Sequence, residues 1–303
     1  MNIQATQGTP SIFNATDILE TVRLSAQHHL LTDGIGGIFP PSLDLTNVYD
    51  MLDVNCGVGK WTMDAARHLE ASCTGIESHP ELLRDARMQL ETRVLADLVT
   101  FEAQDIRQSL TFPDASFDLV HLTCLVERIP TEQWSNVLRE CFRVLRKGGF
   151  LLWTETEWPT MSSCTAEALA RYVTEAWWKA GFGFSCDGRT LGVLHTLPTR
   201  LREAGECDVH VETHLLDFSA WQPHYPVMAQ YFWTSFITMQ PFLTKMGYGS
   251  QKELYTLYDQ LAVEMSDTTF QGAMSVVRLW GQKGAFTQPH EPPCLPMRFP
   301  LIG

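Results

Sequence analysis

The sequence has no apolar run near the roughly 18–20 residues that would span a bilayer. Its opening, MNIQATQGTPSIFNATDILE, has neither the basic start nor the apolar stretch of a secretion signal. No two of its eight cysteines form a C-x-x-C pair. That excludes the usual zinc and redox spacings and fits reduced, mostly buried thiols in a cytoplasmic protein. Positive charge is scarce, with 22 Lys and Arg against 35 Asp and Glu and a net charge of −13. A surface that acidic repels phosphate backbones and anionic lipids, so a small molecule is the expected partner, not nucleic acid or a membrane. Internal repeats and low-complexity blocks are also missing. His210 and His214 would lie about 13 Å apart on an extended strand, too far to share one ion, and no metal is expected.

Against these absences stand 303 residues, 45% hydrophobic and 19% charged. That is enough for one α/β core enlarged by insertions. Residues 15–31 read as an amphipathic helix with Ile18, Val22 and Ala26 at fourfold spacing. From 48 to 155 strand-like and helix-like segments alternate: VYDMLDVN, KWTMDAARHL, CTGIES, a helix opened by Pro80 with Leu83, Ala86, Leu90 and Val94 as its buried stripe, LVTFEAQD, FDLVHLTC, a helix over 132–146 stopped by Gly148 and Gly149, and FLLWTE. Such alternation argues for a parallel sheet wrapped by helices. Beyond it, 160–204 reads as helical, 206–218 as a strand, 226–243 as a helix apolar on nearly every side, 250–265 as a helix opened by a Ser250/Glu253 capping box, and 269–284 as a last strand. The tail from 287 holds five prolines and is expected to be irregular. The division is therefore 1–47, an N-terminal helix and lid segment; 48–155, the core; 156–286, the remaining strands with helical insertions; and 287–303, the proline-rich tail.

The segment LDVNCGVGKW (52–61) places a strand end, a small-residue turn and a helix start in succession. Gly57 and Gly59 let the backbone take positive φ and approach a ligand closely, and the helix start aims N–H groups at it. Glu77 ends the second strand, 18 residues beyond Gly59. A carboxylate there can accept from both hydroxyls of a ribose, and Asp105, ending the third strand, from an adenine amino group. Three such groups at adjacent strand ends would line one crevice.

With these residues in place, the chain resembles the class I S-adenosylmethionine-dependent methyltransferases, in particular the ubiquinone/menaquinone-type small-molecule group. LDVNCGVGKWT is similar to that family's first motif, GIES (75–78) to its ribose-acid motif, LTFPDASFDLVHL (110–122) to its LPFPDGSFDLV segment, and LRECFRVLRKGGFLL (138–152) to its next conserved segment. The resemblance covers about residues 24–155. It implies a Rossmann-like, doubly wound, seven-stranded sheet whose last strand is antiparallel, with helical lid insertions. It also implies S-adenosylmethionine as cofactor, held by Asp53, Asn55, Cys56, Gly57, Gly59, Glu77, Ser78, Asp105, Ile106, Leu122 and Thr123. Two positions depart from the pattern. Asn55 stands where the family has its first glycine, and Asn tolerates left-handed backbone best after Gly. Val126-Glu127-Arg128 stands where the family often has Leu-Glu-His, which makes Arg128 a candidate for an anionic group. A dinucleotide-binding oxidoreductase would need Gly or Ala at Thr62, three residues after Gly59.

Methyl transfer from a sulfonium is an in-line displacement, so the protein must align the nucleophile and exclude water. A general base is needed only where the nucleophile starts protonated. Glu155 and Glu157 fall on one face of the fifth strand near its carboxyl end, and Glu155 is a candidate base or anchor. His28 is the second catalytic candidate, sitting with His29 and Gln27 on the helix expected to cover the cofactor. His121, mid-strand, reads as a satisfied core histidine. Tyr231, Phe232, Trp233, Phe236 and Phe242, with Trp177 and Trp178, read either as packing, on the sheet or on a second copy in a homodimer, or as a hydrophobic pocket under a helical lid. Trp178, Tyr231, Trp233 and Arg128 are the pocket candidates. Adjacent Trp177 and Trp178 point about 100° apart on a helix, so only one belongs to any given surface. The expected function is methyl transfer to a small apolar or aromatic metabolite. The alternatives are a non-methylating member of the fold, such as a cyclisation catalyst or binding module, and, more remotely, a nicotinamide-dependent oxidoreductase.

Overall fold

A computed structural model describes residues 12–91, 94–205 and 207–284. Its centre is an alternation of β1 (Asp50–Val54), α2 (Lys60–Leu69), β2 (Ser72–Glu77), α3 (Pro80–Glu91), β3 (Val99–Ala103), β4 (Phe117–Thr123), α4 (Trp134–Val144) and β5 (Leu145–Thr156), preceded by α1 (Ile18–Gly34). After it come β6 (Thr160–Met161), α5 (Cys164–Lys179), α6 (Leu197–Gly205), β7 (Val209–Asp217), α7 (Tyr225–Lys245), α8 (Gln251–Met265) and β8 (Gly272–Gln282). The sheet runs β3-β2-β1-β4-β5-β8-β6, with β7 on the other edge of β8. The first five strands pair in parallel, and β8 is antiparallel to both β5 and β7. The chain leaves β1 to build β2 and β3 on one side and crosses back to build β4 and β5 on the other. That reversal opens a crevice at the carboxyl ends of β1 and β4.

The sheet has eight strands where seven were expected, because the two-residue β6 adds a short partner to the start of β8. The rest matches the expected order, with an antiparallel last strand. Alternate residues of each central strand feed opposite cores. Met51, Cys73, Leu119 and Leu152 pack under α2 and α3, while Leu52, Ile76, Val120 and Trp153 pack under α4 to α8. Both faces are covered, so these strands read as unbroken apolar runs.

Several local expectations need correction. The stripe of α3 ends before Val94, which lies beyond the helix and is exposed. Helix α4 stops at Val144, where Leu145 turns extended and begins β5, and not at the glycine pair. Gly148, at φ +82°, lies within β5 instead, where the β4–β5 register shifts between Leu145 and Phe150. The stretch 160–204 is not one helix, since a glycine-bearing segment of positive φ at Gly181, Gly183, Gly188 and Gly192 separates α5 from α6. The capping box at Ser250 and Glu253 is formed in both directions. The proline tail lies outside the described residues. Among the described residues no helix is long and apolar enough to cross a membrane.

Helix α1 differs most from its reading. Ile18 is exposed, and the face turned inward carries Glu20, Arg23, Ala26, Gln27, Leu30 and Leu31. Asp17 caps the start by accepting from the Leu19 N–H. At the other end Gly34 lies against Leu216 of β7, where an added Cβ would sit 2.6 Å from the leucine Cγ. The helix is thereby laid across the sheet edge that holds the crevice.

Candidate active site

The turn after β1 is built as its residue types require. Asn55 takes φ 62°, Gly57 φ 55° and Gly59 φ 72°. Asn is the best non-glycine residue for that region, so the substitution preserves the turn. The glycines also give room. An added Cβ at Gly59 would lie 2.3 Å from the Phe101 ring, and one at Gly57 would lie 3.1 Å from Leu24 of α1. The turn is thus pressed between β3 and the covering helix.

Glu77, at the tip of β2, is completely buried and faces this turn. Its Oε2 accepts from the Gly57 N–H at 3.2 Å; its Oε1 accepts from the Ser78 and His79 N–H groups at 2.7 and 3.0 Å and contacts His79 Nδ1 at 2.8 Å. Burial pushes its pKa up, but the His79 hydrogen bond and the Arg128 and His79 charges outweigh burial and hold it at about 2. It is therefore an ionised acceptor at the place where a ribose acid is expected. Asp105 lies two residues past the end of β3 and is gripped at both oxygens by Arg107 at 2.8–3.1 Å.

Two neighbouring hollows lie over these tips. One is bordered by Asn55, Ser78, Asp105, Ile106, Glu127 and Arg128. The other, about 720 Å³ including its open mouth, is bordered by α1 residues Gln27 and His28 and by Cys56, Gly57, Trp61, Thr123 and Arg128. Asn55 and Arg128 border both, so they stand where the two halves meet. Gly59, Glu77 and Leu122 sit beneath these walls and do not border them. The glycine turn, the ionised acid and the polar tips form a donor and acceptor set suited to an adenosyl group with an amino-acid tail.

On the wall of the larger hollow, Asp53 is committed on both sides. Its Oδ2 accepts from the buried Thr62 hydroxyl at 2.6 Å, and its Oδ1 meets His121 Nδ1 at 2.9 Å. Thr62 is the position where a dinucleotide fingerprint would need a small residue, and here it is tied to the strand. His121 Nε2 meets the Thr123 hydroxyl at 2.8 Å, and Trp61 stacks on the imidazole at 3.7 Å and 7°. His121 is satisfied as expected, but it lies on the wall of the hollow and not in the interior alone. His28 also borders this hollow and contacts Asp64 at 2.8 Å. Burial of Asp64 opposes ionisation, but its bonds to His28 and Arg67 hold its pKa at about 2.

Glu155 departs from its expected place. It is fully buried, accepts from the Val126 N–H and from Trp153 Nε1 at 3.2 Å each, and borders neither hollow. Burial, reinforced by the Glu127 charge and only partly offset by those bonds and one from the Leu125 backbone, raises its pKa to about 8. Glu157 instead accepts from the Leu191 and Gly192 N–H groups and pins the loop after α5.

The aromatic expectations divide. Trp178 and Trp233 are 42% and 40% exposed and border neither the crevice nor the aromatic hollow beside it, because the inward faces of α5 and α7 carry Trp177 and Phe232 instead. Tyr231 does line a narrow aromatic hollow with Phe13, Trp158, Trp177 and Phe232. Between that hollow and the crevice lies a buried charge cluster that periodicity did not reveal. Arg23 pairs with Glu20 at 2.7 Å and Glu127 at 3.0 Å, Arg128 reaches Glu20 at 3.3 Å, and Gln27 donates to Glu127 at 2.8 Å. Its sequence trace was Glu20 and Arg23 three apart on a helix face otherwise read as apolar.

A family model described as a methyltransferase domain matches residues 51–149. Methyltransferase Str2 of Strobilurus tenacellus is 24% identical over 159 residues, 52% of this chain and 53% of that protein. The demethylmenaquinone methyltransferase of Lactococcus lactis is 30% identical over 120 residues, 39% of this chain and 46% of that one. The chain thus spans about half the length of these curated relatives. Among solved structures, the cyclase SpnF covers 92% of this chain and 99% of its own at 19% identity and a TM-score of 0.50, a likeness of fold.

Proposed function

We propose, from the premise that the chain carries a class I S-adenosylmethionine-dependent methyltransferase domain over residues 51–149, that it transfers a methyl group from S-adenosylmethionine to a small apolar or aromatic molecule. The observation that carries this reading is the buried, ionised Glu77 facing the Asn55–Gly59 turn at the tip where β1 and β2 meet. The cofactor would be held by Glu77 and Ser78 at its ribose, by Asp105 and Ile106 at its base, and by Asn55, Cys56, Gly57 and the Leu122–Thr123 tip along its tail. Gly59 shapes the turn, and Asp53 acts through Thr62 and His121.

When bound, the cofactor supplies a methyl carbon activated by the adjacent sulfonium charge. The protein's part is to orient and to exclude water. Helix α1 covers the crevice, and the Arg23–Glu127 and Arg128–Glu20 pairs hold it down. Arg128, between the two halves, is suited to an anionic group of the cofactor tail or the acceptor.

The test is transfer of labelled methyl from S-adenosylmethionine into a metabolite extract, alongside a thermal-shift panel of S-adenosylhomocysteine and nicotinamide cofactors. Label in a small product and a shift with S-adenosylhomocysteine alone are expected. Binding without label transfer would leave the fold as a non-methylating catalyst or binding module, and a shift with nicotinamide cofactors alone would overturn the assignment.

A further inference from the structure

The larger hollow continues past the glycine turn to a wall built from β1 and β4. There Asp53, His121 and Thr123 form an unbroken hydrogen-bonded line from β1 across β4, with steps of 2.9 and 2.8 Å. The register pairs Asp53 with His121, and strand alternation puts Thr123 on the same face as His121. Thr62 fixes the far oxygen of Asp53, and Trp61 covers one face of the imidazole. Since a carboxylate only accepts, Nδ1 carries the ring hydrogen of a neutral His121 and Nε2 accepts from the Thr123 hydroxyl. That leaves the lone pairs of Thr123 Oγ open to a donor in the hollow. On the same wall Trp61 is itself buried and its indole N–H has no partner. The other ionisable groups facing the ring are few. His28 of α1 is paired with Asp64 of α2, and the charges that act on the ring are those of Asp53 and His28.

We propose that Asp53, His121 and Thr123 form a proton relay that deprotonates a weakly acidic hydroxyl on an apolar acceptor seated against Trp61. This rests on the methyl-transfer reading and names the acceptor chemistry within it. As the acceptor oxygen gains its bond to the methyl carbon and the carbon–sulfur bond breaks, the electron pair stays on sulfur, which becomes neutral. One proton must leave the oxygen. It passes to Thr123 Oγ while the Thr123 proton passes to His121 Nε2, and the imidazolium is held by Asp53 until it releases the proton to water. Burial and the nearby His28 keep the ring below the ordinary histidine range despite the Asp53 bond, so it is free to accept a proton at neutral pH. His121 and Thr123 are the residues at stake; Asp53 is a positioning residue.

The test uses the full chain and two probe acceptors, phenol and 4-nitrophenol, at about pH 8, where the second is already ionised and needs no base. His121→Gln is expected to lose on the order of 10²-fold in kcat with phenol and to stay within about threefold with 4-nitrophenol. S-Adenosylhomocysteine affinity should change by less than about twofold. Thr123→Val should lose the phenol rate as His121→Gln does, and Thr123→Ser should restore it. Independently of turnover, histidine ¹⁵N spectra should show a neutral His121 protonated at Nδ1, with its Nε2 resonance moving in Thr123→Val. Equal losses on both phenols, no loss on either, a parallel fall in S-adenosylhomocysteine affinity, or a wild type that binds S-adenosylhomocysteine and methylates neither phenol would overturn the relay. A wild type that binds no S-adenosylhomocysteine would instead overturn the reading beneath it.

Discussion

Glu77 and Glu155 are the same residue type, both completely buried, both at the carboxyl end of a parallel strand in one sheet. One is held at a pKa of about 2 and the other at about 8. Burial works in the same direction on both. The difference lies in what surrounds them. Glu77 accepts from three backbone N–H groups and faces His79 and Arg128, whereas Glu155 has the Val126 and Leu125 backbone and the Trp153 indole as donors, no cation, and a like charge, Glu127, nearby. A buried carboxylate is kept ionised by a dense donor shell and becomes a stored acid without one. The sheet thus places a permanent anion beneath the β1–β2 tip and a protonatable group on the β5 side.

The largest expected effect breaks the second half of this contrast. Glu155 keeps its proton in the folded chain up to about pH 8 and would release it near its ordinary value when unfolded. Its contribution therefore turns unfavourable as pH rises from about 4.5 to 8 and is constant above that. Glu155→Gln is expected to remove this dependence, a difference on the order of 4–5 kcal/mol between pH 5 and 9, read by denaturant unfolding of both proteins across pH. Glu77 works in the opposite sense. Its stabilisation is complete above about pH 4.5 and is lost as pH falls through about 2. Glu77→Gln is expected to cost on the order of 3 kcal/mol at neutral pH and to unfold in acid with a shallower pH dependence than wild type.

Two smaller changes sharpen the contrast from either side. Gly59→Ala puts a Cβ into the Phe101 ring at φ +72° and is expected to cost about 1–3 kcal/mol and to disturb the Glu77 tip. Ser250→Ala removes one half of a capping box far from both carboxylates and should cost about 1 kcal/mol by thermal unfolding. It should leave the pH dependence set by Glu155 between pH 5 and 9 unchanged.

What was legible in the sequence follows from the same physics. The alternating core was readable because strands buried on both faces and helices with one apolar face leave distinct periods. The β1 turn was readable because Asn55, Gly57 and Gly59 are the residue types that positive φ demands. Helix α1 was placed but its inner face was not, because Glu20, Arg23 and Gln27 find partners on the distant Glu127 and Arg128 that no local pattern reveals. Choosing Trp178 and Trp233 over Trp177 and Phe232 failed for a related reason, since periodicity gives the angle between neighbours but not which one faces inward. His121 was seen only as a core residue, because its line to Asp53 and Thr123 exists only once β1 and β4 pair in register. Glu155 was placed beside the crevice by strand alternation alone. The chain after β4 folds Val126 and Glu127 over it instead.

The cofactor assignment rests most on the tip of β2. Isothermal titration of S-adenosylhomocysteine into the full chain and into Glu77→Ala tests it directly. Saturable one-to-one binding to the wild type is expected, weakened in the variant by about 1.5–3 kcal/mol, or roughly tenfold to a hundredfold, for the loss of hydrogen bonds to a charged acceptor. Wild-type binding that is absent, or that survives the loss of Glu77 undiminished, would contradict it.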